Sequence, residues 1–126
     1  MQSVPDFIKK LNGGYILDIR TYGEYISGHV CGALLIPTEP PPLNNKQLRD
    51  LKSNLTATMW DYRIDSRNKI YLYSKESFRA HTAAKILADM GFKNVELLGG
   101  VDTEPLKSVI ASGSSTFCSG FPKVRI

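Results

Sequence analysis

Apolar positions along the chain fall into two alternating rhythms. Val4, Phe7, Ile8 and Leu11 share one face at helical spacing, Ser3 is placed to cap them, and Asn12-Gly13-Gly14 stops the run. Tyr15 to Ile19 then form a short, nearly continuous apolar stretch, the pattern of a strand covered on both faces. Ala33 to Ile36 repeat that pattern up to Pro37, and Pro40-Pro41-Pro42 make a stiff connector. Leu48, Leu51 and Leu55 predict a second amphipathic helix starting near Asn44 or Asn45, with Lys46, Arg49 and Lys52 on its outer side. Thr56 to Ser66 have no clean period, and Trp60 within them is expected in the core. Ile70 to Tyr73 read as a third strand.

Ala80, Ala83, Ala84, Leu87 and Met90 then form a compact helix face closed by Gly91; the small alanines predict close packing of helix on sheet. Asn94 to Leu98 form a further strand, which Gly99-Gly100 are expected to end, and a last short helix is expected near Pro105 to Ala111. Strands alternating with helices predict an α/β fold with a central parallel sheet and helices on both faces.

The length of 126 residues suits one domain, read as residues 1–111, followed by a Ser- and Gly-rich tail over 112–126 that is either disordered or a strap on the surface. A net charge of +4 and a pI near 9.1 fit a small anionic ligand or an acidic protein partner. The basic residues are scattered, without the aromatic-basic stripe of a nucleic-acid reader, so no nucleic-acid partner is expected. No apolar run is long enough to cross a bilayer, and Met1 to Phe7 lack the pattern of a signal peptide, so a cytoplasmic protein without a membrane partner is expected. Cys31 and Cys118 have neither metal-ligand nor redox-pair spacing and read as small packing residues; no metal and no cofactor are expected.

The chemistry concentrates after the third strand. Ser74-Lys75-Glu76-Ser77-Phe78-Arg79 join strand to helix, a place where backbone N–H groups converge and the helix dipole favours anions. Arg79 adds a planar charge in the first helical turn. A cysteine opening such a loop would be stabilised as its thiolate. The residue there is Ser74, whose hydroxyl needs an adjacent base to act as a nucleophile, and no Ser-His-Asp arrangement is legible; His81 reads as a solvated helix residue. Asp18 and Arg20 leave the first strand near the loop, and a supporting ion pair or hydrogen-bond network, joined by Glu24, is favoured over direct contact with a ligand. His29 reads as a satisfied structural histidine, and Gly28 and Gly32 as backbone devices.

Ile16-Leu17-Asp18-Ile19-Arg20-Thr21, Glu24-Tyr25, Gly28-His29-Val30, Gly32-Ala33 and Ile36-Pro37 resemble the N-terminal signature of rhodanese domains. Ile70 to Tyr73, the loop to Arg79, Ala83-Ala84, Gly91-Phe92, Val95 and Leu98-Gly99-Gly100 resemble the family's active-site half. The resemblance runs from about Val4 to Ile110. It implies a sheet of about five parallel strands and, in active members, a cysteine persulfide at position 74. That persulfide takes sulfur from a small sulfur-containing anion such as thiosulfate and passes it to cyanide or another thiophile. The persulfide would be cradled by amides of Lys75, Glu76, Ser77, Phe78 and Arg79, with Lys75 and Arg79 attracting the donor.

Ser74 departs from that pattern, because an oxygen cannot carry a persulfide, and Ser77 stands where glycine is common. The loop encloses four residues, the sulfurtransferase length rather than the longer phosphatase one. Three readings follow. The chain is a domain of sulfurtransferase ancestry that keeps its anion-binding loop for a ligand or protein partner. It is a thiosulfate-type sulfurtransferase whose cysteine has been replaced. Or it is a purely structural domain with a vestigial loop. The first is favoured. Lys46, Arg49 and Lys52 are a candidate docking row for an acidic partner, against the plainer reading of a solvated face.

Overall fold

A computed structural model describes residues 13–30 and 32–102, Leu106 and Lys107, and the backbone of Phe117–Cys118. The helix expected over Ser3 to Leu11, most of the one expected near Pro105 to Ala111, and Cys31 lie outside the described residues. In chain order the elements are β1 (Gly14–Asp18), α1 (Tyr22–Ser27), β2 (His29–Val30), β3 (Leu34–Leu35), α2 (Asn45–Asp61), β4 (Lys69–Ser74), α3 (Phe78–Asp89), β5 (Val95–Gly100) and β6 (Phe117–Cys118).

Among the described residues, four strands make one parallel sheet in the order β3-β1-β4-β5, against the expectation of about five. β2 and β6 form a separate antiparallel pair, His29 opposite Cys118 and Val30 opposite Phe117, so this part of the tail is a strand added to the domain. Side chains alternate across the sheet. Leu17, Ile70 and Leu72 face a core completed by Leu51, Leu55 and Met59 of α2 and by Ala80, Ala83 and Leu87 of α3. Ile16, Tyr71 and Tyr73 face the other side, where Tyr25 of α1, Val30, Leu98 and Leu106 cover them. Both faces of the sheet are therefore dry, which is why its strands read as continuous apolar runs. Full burial of each large side chain of α2 contributes about 1.5–3 kcal/mol.

Asn44 caps α2 through a reciprocal pair with Gln47, and the helix runs through the segment without a clean period as far as Asp61. It continues because Met59 extends the buried stripe of Leu51 and Leu55. Trp60 falls on the opposite side of that stripe and is 83% exposed, not core. Lys46, Arg49 and Lys52 are on the outer face, as expected. Gly99 and Gly100 do not end β5 but form its last two residues. The register slips between Leu72 and Tyr73, and Gly99 takes a φ of +87° where the chain absorbs the extra residue.

Candidate functional site

Ser74 is the last residue of β4 and is fully buried. Its carbonyl accepts the Val101 N–H at 2.9 Å, which ties the strand end to the residue after β5. Its Oγ accepts the Ala80 N–H at 3.1 Å. Ala80 is the third residue of α3, one of the helix amides left without an intrahelical acceptor. The preceding Ser77 makes no side-chain cap and has left-handed backbone, φ +68°. The helix is capped instead from the strand, by the side chain at position 74.

Lys75, Glu76, Ser77 and Phe78 arch between these points, and Phe78 is 52% exposed. No described residue accepts a hydrogen bond from the backbone N–H of any residue from Lys75 to Arg79. Five successive amides without an acceptor among the described residues, leading into a twelve-residue helix, are an arrangement that favours an anion electrostatically. β5 braces the loop from below. A Cβ on Gly100 would run into the Lys75 carbonyl and come within 3.2 Å of the Ser77 amide nitrogen.

Arg79 is 1% exposed, and all five of its N–H groups are spent inside the protein. Nε donates to Glu76 Oε1 at 2.9 Å and Nη2 to Glu76 Oε2 at 3.3 Å. Nη1 donates to Glu24 Oε1 and to the Thr38 carbonyl, both at 2.9 Å, and Nη2 to Glu24 Oε2 at 3.1 Å. The sequence suggested that Arg79 attracts an anion, whereas here it fastens the loop to α1 and to the segment after β3. Of the loop's two cations, Lys75 alone is exposed.

Glu24 is the other half of that clamp. It closes a reciprocal cap with Thr21 at the start of α1 while accepting from Arg79. Partial burial would raise its pKa, but the Arg79 guanidinium and the donors of Thr21 outweigh burial and hold it at about 2.

A second buried network lies beneath. Arg20 forks onto Asp18 with two bonds of 2.7 Å and donates to the Gly28 carbonyl at 2.7 Å. The Tyr73 hydroxyl donates to Asp18 at 2.7 Å and accepts the Val30 N–H at 3.0 Å. Burial pushes the Asp18 carboxyl up while Arg20 and Tyr73 pull it down, and burial pushes the Tyr73 phenol well above its ordinary range. Asp18 and Arg20 thus form the expected network, but Glu24 bonds to Arg79 instead of entering it. His29 is buried, hydrogen-bonded through Nδ1 to the Tyr25 carbonyl at 2.9 Å and stacked on the Tyr25 ring at 3.7 Å. Gly32 has a φ of +87°, a backbone role as expected. His81 is exposed on α3, the solvated helix position expected for it.

Three contributors escaped the sequence reading. Thr38 acts through its carbonyl, which no side-chain pattern reports. Tyr73 looked like one more apolar strand residue. Gly100 looked like a strand stop, although a paired Gly-Gly inside β-rich sequence is a signal of bulge and close approach. No cluster of three or more His, Cys, Asp or Glu able to hold a metal ion occurs among the described residues. No helix among them is long and apolar enough to cross a membrane.

A family model for the rhodanese-like domain matches residues 3–102. None of the curated proteins matches the sequence. Among solved structures, the chain is similar to a rhodanese with anions from E. coli, at 25% identity over 71% of this chain and 88% of that one, with a TM-score of 0.54. It is also similar to a rhodanese-like domain from Anabaena sp., at 22% identity over 99% and 89% of the two chains and a TM-score of 0.58. A rhodanese-related protein from Thermoplasma volcanium aligns at 20% identity over 90% and 94%, with a TM-score of 0.55. Signature, sheet and loop agree with the family match across most of its length, and the chain belongs to the rhodanese-like domain family.

Proposed function

We propose that this is a rhodanese-like domain of sulfurtransferase ancestry that does not transfer sulfur and keeps its loop as an anion-binding site for a ligand or a protein partner. One observation carries the reading: five successive backbone amides, Lys75 to Arg79, have no hydrogen-bond acceptor among the described residues, in the loop that begins at the buried Ser74. The amides supply what a small oxyanion or sulfur-containing anion needs. Ser74 supplies a cap for α3 and no persulfide carrier. Its hydroxyl is far less acidic than a thiol, and among the described residues no base is hydrogen-bonded to it to make up the difference. The anions in the related E. coli rhodanese support an anion-binding role for this fold.

A second reading, an enzyme of the thiosulfate type with its cysteine replaced, is favoured by the Ala80 N–H. That donor points at the side-chain atom of position 74, where it would stabilise a thiolate. Two measurements separate the readings. Thiosulfate-to-cyanide transfer, read as thiocyanate, is expected at background for the protein and measurable for Ser74→Cys if the pocket still fits a persulfide. Transfer by the serine protein overturns inactivity. Titration with sulfate or thiosulfate, followed in a ¹H–¹⁵N spectrum, is expected to shift the amides of residues 75–79 first. An unchanged loop at millimolar anion overturns the binding role.

A further inference from the structure

Trp60 is the chain's single tryptophan and stands 83% exposed in the last turn of α2. An exposed large aromatic draws notice only when its surroundings are shaped, and here a groove lies on each side of it. One, of about 580 Å³, opens between the C-terminal ends of α2 and α3, floored by Met59, Ile64, Met90 and Phe92. The other, of about 510 Å³, runs back along α2 past Lys52 and Ala57. Both sit away from the candidate loop: Ile64 precedes β4 and Phe92 precedes β5, whereas the loop follows the far end of β4.

The charges around the ridge are unbalanced. Arg49 and Lys52 precede Trp60 on the exposed side of α2, and Arg63 follows it at the mouth of the larger groove. None of the three pairs with a described acid. Two nearby carboxylates are already taken, Asp50 by Lys46 and Asp65 by Arg67. Among the described residues, Asp61 is the single uncommitted acid lining either groove.

We propose that this face of α2 docks an acidic segment of a partner protein that carries a bulky apolar side chain. The apolar side chain enters the groove over Met59, Met90 and Phe92 against Trp60, and acidic residues on either side meet Arg49, Lys52 and Arg63. An amphipathic aromatic beside uncommitted cations is the usual composition of an interface anchor. This surface is independent of anything the loop binds.

A lone tryptophan makes the test direct, because its emission reports this site alone. The probe is a ten-residue peptide of glutamates with Leu-Phe at its centre and no tryptophan. The expected result is a saturable blue shift on titration, lost with Ser-Ser at the centre. Affinity should fall at least tenfold in the Arg49→Glu/Lys52→Glu variant, and binding followed by a dye on the peptide should be lost in Trp60→Ala. Trp60→Ala removes an exposed side chain, so it should stay folded and keep the loop's response to sulfate. No shift at millimolar peptide overturns the proposal. So does binding unchanged by Trp60→Ala, a blue shift that appears with protein concentration alone and tracks a dimer in sedimentation, or equal binding to vesicles of anionic phospholipid.

Discussion

The side chains around the loop divide the work in a way their chemistry alone does not announce. Ser74 serves as a helix cap, and Arg79, the most conspicuous charge, serves as a clamp. The clamp makes stability depend on pH through Glu24. Its folded pKa of about 2 lies below the ordinary 4.5. Glu24 therefore adds stability that is complete above about pH 4.5 and is lost as pH falls through about 2. The melting temperature should drop across that window, and Glu24→Gln should flatten the drop while lowering the plateau at neutral pH. A Gln variant with an unaltered acid limb would show that the Glu24–Arg79 contact is energetically idle.

At the scale of elements, α2 and α3 end by the same device with unequal residues. After α2, Arg63 N–H bonds to the Trp60 carbonyl and Ile64 N–H to the Met59 carbonyl; after α3, Gly91 and Phe92 repeat the pattern onto Ala88 and Leu87. Both are Schellman endings, in which one residue must be left-handed and the next folds back onto the core. Gly91 takes that position at φ +96° without cost, whereas Arg63 takes it at φ +55° with a side chain. Arg63→Gly is expected to stabilise the protein by about 0.5 kcal/mol, the left-handed strain relieved less the added freedom of the unfolded chain. Urea denaturation should show a higher midpoint with an unchanged slope; a lower midpoint would mean that the Arg63 side chain contributes more than its backbone costs.

For the molecule as a whole, the order of strands and helices was legible because burial on both faces of the sheet leaves uninterrupted apolar runs at Ile16–Leu17 and Ile70–Tyr73. The place of the loop was legible because strand, short polar stretch and alanine-rich helix occur in succession. The clamp was not, since its partners Glu24, Glu76 and Thr38 come together only through tertiary structure. Trp60 was misplaced because an unclear period hid the continuation of α2, whose buried stripe runs through Met59. The two glycines closing β5 have separate purposes that composition cannot distinguish: Gly99 for the bulge and Gly100 for clearance beneath the loop. Gly100→Ala should force the Lys75 carbonyl aside, cost about 1–3 kcal/mol in urea denaturation, and weaken the response of residues 75–79 to sulfate. An intact response would show that the loop tolerates being lifted. The successive donors of residues 75 to 79 for which no described residue supplies an acceptor belong to the main chain. Main-chain donors do not titrate between acid and alkaline conditions, and replacing a side chain does not delete them. What the loop recognises is thus written in large part in the path of the backbone, a path held by Gly100 from below and by Glu24, Glu76 and Thr38 through Arg79.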